Sequence, residues 1–397
     1  MRVLLATESY LPYVSGVTVS VDAQARSLAA RGHDVLVLAP RPDAGDRIEP
    51  VGSPGPEPSY AWLPSYQLPW IAPAGYRMPW PLPWTDAMAA ATAFRAEIVH
   101  AHSPFVSGLM ARRVAAAARA PLVFTHHTRF TDYRHYLGVL ARPAASAIDA
   151  YLGAFWKACS AIVAPSGDLA EEIRGRLPAA RRDRVHVIAT GIDVEGLRAL
   201  APIDPRADAG WPASSIVVAS LGRLAPEKSP MTMLEAAAIA LREEPDLRLL
   251  VIGGGPSEEG LRQGAASRGL GTRVHFSGRL PRPDALARLA GADLFVFASR
   301  TETQGLVLAE ALAAGLPAVA VDGPGVRDSV RDGIDGVIVA AEPPVSRAGR
   351  LGEAIVALAR DGERREAMAH RARDDADRFS VEARAGEMES LYQALRG

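Results

Sequence analysis

Lysine is almost missing from this chain: only two lysines stand among its 44 basic residues, so nearly every positive charge is an arginine. Cysteine is reduced to Cys159. One cysteine excludes an internal disulfide and a cysteine-built zinc site, and suits a reducing compartment. Its setting, Phe155-Trp156-Lys157-Ala158-Cys159, reads as small-residue packing. No apolar run reaches the ~18 residues of a membrane span. The opening Met1-Arg2-Val3-Leu4-Leu5-Ala6 lacks the layout of a signal peptide. The expected location is therefore cytoplasmic, with peripheral attachment to the inner face of a membrane left open. A formal net charge of −1 gives no bulk reason to expect nucleic acid as a partner. No Asp-x-Asp pair or histidine–carboxylate cluster has metal spacing at a strand end, so no metal is expected. Asp375-Ala376-Asp377 has the spacing but lies in a charged run, read as a solvated face.

What is present is a repeated strand and helix pattern. With 397 residues the chain is long for one core. Val3–Ala6, Val19–Arg31 and Asp34–Ala39 read as strand, helix, strand, with Gly32 closing the helix. The unit recurs through Ile98–His100, Phe105–Arg119 and Leu122–Thr125. A Pro-rich connection at Ala201-Pro202-Ile203-Asp204-Pro205 precedes a second series, from strand Ile216–Leu221 and helix Pro230–Glu243 to strand Gly336–Val339. The reading is α/β: two Rossmann-like domains, 1–200 and 201–378, facing a cleft. A last helix, 379–397, is expected to cross back to the first domain. Glu49–Trp84 is Pro-rich and holds four of the six tryptophans, so it reads as an extended excursion rather than a strand–helix unit.

The residues suited to chemistry cluster after strands of the second domain, where open parallel sheets bind ligands. Lys228 closes Gly222-Arg223-Leu224-Ala225-Pro226-Glu227-Lys228. An ammonium is a compact point charge suited to a phosphate oxygen, and Arg223 could share a diphosphate with it. Glu302 and Glu310 flank Gly305 in Thr301-Glu302-Thr303-Gln304-Gly305-Leu306-Val307-Leu308-Ala309-Glu310. A glycine at a helix start lets backbone N–H groups approach an anion, while the carboxylates grip hydroxyls. Cations for a diphosphate beside carboxylates for a sugar suggest a nucleotide-sugar site.

These motifs, in this order, resemble the retaining glycosyltransferases of family 4, which have the GT-B fold. Pro12-Tyr13-Val14-Ser15-Gly16-Val17, Arg31-Gly32-His33-Asp34-Val35, Ala164-Pro165-Ser166, Gly191-Ile192-Asp193 and Gly253-Gly254-Gly255-Pro256 extend the resemblance over nearly the whole chain. It implies that Glu302 contacts donor-sugar hydroxyls and Glu310 the ribose. Gly305 and Leu306 would offer N–H groups, Arg223 and Lys228 would hold the diphosphate, and Leu280 would meet the base. Gly16 would let the first-domain loop approach the donor. Thr125-His126-His127-Thr128 resembles the family element that sets a histidine beside the sugar, a role assigned to His127, with His126 as the alternative. Cations and the helix end would replace a metal, and no cofactor is expected.

The stretch Thr125–Tyr136 is most similar to members that glycosylate diacylglycerol or related lipids, which implies UDP-glucose as donor and a lipid hydroxyl as acceptor. The tryptophans of 49–84 suit a membrane interface. So do the arginines Arg112, Arg113, Arg119, Arg129, Arg134, Arg142, Arg174, Arg176, Arg181, Arg182 and Arg184 with anionic lipid. Covered cores and solvated faces explain the same features equally well. A soluble acceptor such as a sugar phosphate, an inositol derivative or a glycan is the rival within the fold. A non-catalytic nucleotide-sugar-binding protein is a rival of another class. A nicotinamide-dependent oxidoreductase is disfavoured because Thr7–Gly16 holds no Gly-x-Gly-x-x-Gly.

Overall fold

Arg2–Ala6 (β1) is apolar on both faces, as a strand between two helical layers must be: Leu4 packs to one side, Val3 and Leu5 to the other. In the computed structural model the described residues are 1–46, 48, 56–67, 76–82, 85–128 and 141–397, without the side chains of 141–145. They form two compact units, Met1–Asp193 with Ser380–Gly397, and Val194–Phe379.

The first unit is built on a seven-stranded parallel sheet. To β1 are added Asp34–Pro40 (β2), Ser59–Leu63 (β3), Ile98–Ala101 (β6), Leu122–Thr125 (β7), Ala161–Ala164 (β8) and Val185–Val187 (β9), in the order β3-β2-β1-β6-β7-β8-β9. Ser65–Gln67 (β4) and Arg77–Pro79 (β5) make a separate antiparallel pair. The 49–84 stretch therefore departs from the sequence expectation. Ser59–Leu63 contains no proline and donates a full parallel ladder to Leu36–Pro40, so it is the sheet's edge strand. Trp62 stacks on Tyr60 at 4.8 Å, while Trp80 is 48% exposed. Trp70 and Trp84 lie outside the described residues, as do Arg129 and Arg134 and the side chain of Arg142.

The helix Val381–Arg396 returns to the first unit, as expected. It packs on the helix Gly16–Ala30 and buries Met388, Leu391 and Tyr392. Each such side chain contributes roughly 1.5–3 kcal/mol through apolar burial. The second unit has six parallel strands: Ile216–Leu221 (β10), Leu247–Ile252 (β11), Val274–Gly278 (β12), Leu294–Phe297 (β13), Ala318–Val321 (β14) and Gly336–Val339 (β15). Their order is β12-β11-β10-β13-β14-β15. The helix Val194–Ala199 packs against the helix Leu306–Ala313 of this unit. Among the described residues no helix is long and apolar enough to cross a membrane.

Candidate active site

In each sheet the strand order reverses beside the unit's first strand, between β1 and β6 and between β10 and β13. At such a switch point the loops leaving two neighbouring strands diverge to opposite faces and open a crevice at their carboxyl ends. The second unit places its charged motifs there. Lys228 ends a single helical turn, Pro226–Lys228, after β10, and Glu302 follows β13. The Lys228 ammonium donates to Glu302 Oε1 at 2.6 Å, with both side chains partly open to solvent. Thr301 Oγ1 donates to the Glu227 carbonyl at 3.0 Å, tying the two loops together. Arg223 is 47% exposed and pairs with the buried carboxylate of Glu227, which anchors one end of its guanidinium.

Gly305 adopts φ +79°, a left-handed conformation that glycine enters without the Cβ penalty, and it opens the helix Leu306–Ala313. Gly305 has no side chain with which to cap this helix, and among the described residues no side-chain hydrogen bond reaches the N–H groups of Leu306 and Val307. Glu310 lies one turn into the helix, with its carboxylate only 2% exposed. Arg282 pairs with Oε1, and Oε2 is buried with no partner among the described residues. A buried carboxylate oxygen without a donor is costly unless a ligand supplies one. The Gly-rich turn after β11 completes the floor. A Cβ on Gly253 would stand 2.0 Å from the Gly222 carbonyl, so the turns after β10 and β11 touch backbone to backbone. Leu280 is half-buried, two residues past β12.

In the first unit, His127 follows β7 and His102 follows the adjacent β6. His102 Nδ1 and His127 Nε2 are 2.9 Å apart, and their rings stack. His100, fully buried, stacks on His102 at 4.2 Å. Gln24 donates to the Tyr392 hydroxyl at 2.7 Å, which leaves that hydroxyl to donate to His100 Nδ1 at 2.6 Å. His100 Nε2–H then donates to Thr125 Oγ1 at 2.7 Å. Burial holds all three imidazoles neutral, with His100 lowered to about 3, His127 to about 4 and His102 well below the usual range. His102 Nε2 is buried with no hydrogen-bond partner among the described residues. An orphaned lone pair there is less costly than an orphaned N–H, so the hydrogen sits on Nδ1 and points to His127 Nε2. His127 then carries its own hydrogen on Nδ1. His126 is buried, packed edge-on against Phe124 and Trp156, whereas His127 is partly open. Gly16 is exposed in the first turn of its helix, which Ser15 caps.

Among the predicted residues, Arg223, Lys228, Leu280, Glu302, Gly305, Leu306 and Glu310 all lie at the carboxyl ends of the second unit's strands, while Gly16 and His127 belong to the first unit. Arg282, Glu227, His100, His102 and Tyr392 were not among them. The only sequence signal for Arg282 is its place between two prolines, Pro281 and Pro283. His100-Ala101-His102 carries the alternation that puts two imidazoles on one strand end. Asp375 and Asp377 pair with Arg331 and Arg198 at 2.6 and 2.8 Å.

Comparison with known proteins agrees with this layout. Residues 14–195 match the family model described as Glycosyltransferase Family 4, and residues 204–375 the model described as Glycosyl transferases group 1. The chain is 28% identical to an alpha-monoglucosyldiacylglycerol synthase of Streptococcus pneumoniae, over 90% of this chain and 79% of that one. It is 32% identical to a D-inositol 3-phosphate glycosyltransferase of Nocardia farcinica, over 75% of this chain and 67% of that one. Among solved structures, Anabaena HepE in complex with UDP superposes with a TM-score of 0.75 at 18% identity, covering 99% of this chain and all of that one.

Proposed function

As this chain belongs to the glycosyltransferases of family 4 and has their GT-B fold, we propose that it transfers glucose from UDP-glucose to a lipid hydroxyl such as that of diacylglycerol, with retention at the anomeric carbon. The observation that carries the donor side is the pair of half-satisfied carboxylates around an uncapped helix start. Glu302 is bonded to Lys228, and Glu310 Oε2 lacks a donor that a ribose hydroxyl can supply. The acceptor side rests on the likeness to alpha-monoglucosyldiacylglycerol synthases.

In this reading the diphosphate lies on the N–H groups of Gly305 and Leu306, neutralised by Lys228 and Arg223 in place of a metal. Negative charge grows on the leaving diphosphate as the glycosidic bond breaks, so the ammonium binds the transition state more tightly than the ground state. Glu302 receives sugar hydroxyls, Glu310 the ribose, and the Leu280 backbone the base. From the first unit, neutral His127 donates its Nδ1–H to a sugar hydroxyl, and Gly16 meets the diphosphate without a side chain in the way. A peripheral hold on an anionic inner membrane face would deliver the acceptor, and the exposed Trp80 and Leu82 are consistent with it.

A second reading is transfer to a soluble inositol phosphate, favoured by identities of 31–34% to several D-inositol 3-phosphate glycosyltransferases. Two assays decide. Thermal shift with UDP, GDP and ADP should single out UDP, which at a hundred times its Kd stabilises by about 2.7 kcal/mol. Labelled UDP-glucose should then label diacylglycerol in mixed micelles, giving an α-linked product by NMR. Stabilisation by another base alone, or label entering inositol phosphate and not lipid, overturns the donor or acceptor assignment respectively.

A further inference from the structure

The opposite end of the first unit's sheet holds a cleft of about 720 Å³ at the amino ends of β1, β6 and β7. Arg2, Arg95, Arg119 and Arg396 line it, with Glu97 as the only lining carboxylate. Glu97 is engaged by Arg2 and Arg396: it accepts the Arg2 backbone N–H at 2.8 Å and pairs with the Arg396 guanidinium. Arg95 and Arg119 have no ion pair among the described residues. The cleft thus keeps an excess of positive charge.

The backbone at these two arginines is the second observation. Arg95 and Arg119 have φ +50° and +53°, and both terminate helices, Thr85–Ala93 and Val106–Ala118. Among the described residues only one other non-glycine, Ser229, has a positive φ. Where other helices of this chain end on a left-handed residue, that residue is glycine, as at Gly32, Gly210, Gly269 and Gly315. Glycine is the unstrained residue for such a position. Two of the three non-glycine residues held at positive φ among the described residues are thus arginines that line this one cleft. Helix dipoles explain arginine in a last turn but not at a left-handed residue, and each helix end contributes only about half a negative charge.

We propose that this cleft is a second anion site, separate from the donor crevice, taking a phosphate-bearing ligand through the guanidinium forks of Arg95 and Arg119. The ligand is either a free multiply charged phosphate or the phosphate of a lipid headgroup. The test uses the full chain carrying Arg223→Ala and Lys228→Ala, which weakens the donor crevice for phosphate. Its partner chain adds Arg95→Gly and Arg119→Gly. Glycine relieves the backbone, so the melting temperature should hold or rise; Arg95→Asn with Arg119→Asn serves if glycine loosens the helix ends. Pyrophosphate titration and sedimentation with phosphatidylcholine vesicles with and without phosphatidate are compared. Losing two charge-assisted forks should weaken binding by about ten-fold or more. Loss with pyrophosphate assigns a free anion, and loss with phosphatidate vesicles alone a headgroup. Equal binding by both chains, or no binding of either probe to the parent, overturns the proposal.

Discussion

The two units share a strand order but put opposite charges at their switch points. In the first, Glu8 leaves β1 and accepts the N–H groups of Val106 and Ser107 at 3.2 and 3.0 Å, with Ser107 Oγ at 2.7 Å. The helix Val106–Ala118 that follows β6 therefore has its positive end neutralised from within. In the second unit, the equivalent helix Leu306–Ala313 has no side-chain cap among the described residues, and the residue delivered after the first strand is Lys228, an ammonium. One Rossmann-like half is closed electrostatically and the other keeps an uncapped helix start and a cation for an external anion. The same topology thus yields a supporting unit and the unit to which donor binding is assigned, by the sign of one side chain.

Lys228→Ala attacks that contrast most directly. It removes the cation and releases Glu302, and kcat should fall about a hundred- to a thousand-fold because charge on the leaving group rises toward the transition state. Single-turnover kinetics with donor in excess measures it. An unchanged kcat with only a raised KM would mean that the ammonium merely binds. Glu310→Ala should act next in size and in the other constant, raising the donor KM about ten- to a hundred-fold with kcat little altered. Isothermal titration with UDP checks this; undiminished affinity would remove the ribose assignment. Arg282→Ala should move the same constant, since it strands a buried carboxylate.

Arg282 also shows where a linear reading stops. Lys228 and Glu302 lie in motifs whose residue types are informative by themselves, and β10 and β13 carry them to one point. The strands were legible because parallel sheets covered on both faces read as apolar runs. The pairing of Arg282 with Glu310 joins two helices across 28 residues, with no periodicity between them. The His102–His127 contact exists only because β6 and β7 are neighbours, and strand order is a property of the closed sheet. Ser59–Leu63 was hidden by surrounding prolines that do not enter its ladder. Glu8 looked like one loop residue among several until the helix start it caps was in place.

The histidines extend the comparison to stability. His100, His102 and His127 all belong to the first unit, and burial lowers all three, two of them to about 3 and about 4. Between the unfolded value of 6.5 and these folded values, the unfolded chain binds more protons than the folded one. Stability is therefore complete above about pH 6.5 and is lost as pH falls toward 4, at roughly 1.4 kcal/mol per pH unit for each histidine at the steepest. Calorimetry from pH 7.5 to 5 should show the first unit's transition moving down ahead of the second's. His100→Gln should flatten that slope by about one proton. A transition indifferent to pH over this range would refute the neutral, buried histidine row.

The smallest effect tests the sign argument itself. Glu8→Ala removes the carboxylate from the Val106 helix start and should cost about 1–2 kcal/mol, the usual loss for a charged acceptor of backbone N–H groups. Donor affinity should change little, because apart from Gly16 the residues assigned to UDP belong to the other unit. Added inorganic phosphate should then raise the melting temperature of Glu8→Ala more than that of the parent, since a helix end stripped of its internal anion accepts an external one. If phosphate stabilises the two proteins equally, Glu8 is a packing residue, and the charge placed after the first strand is not what separates the two halves.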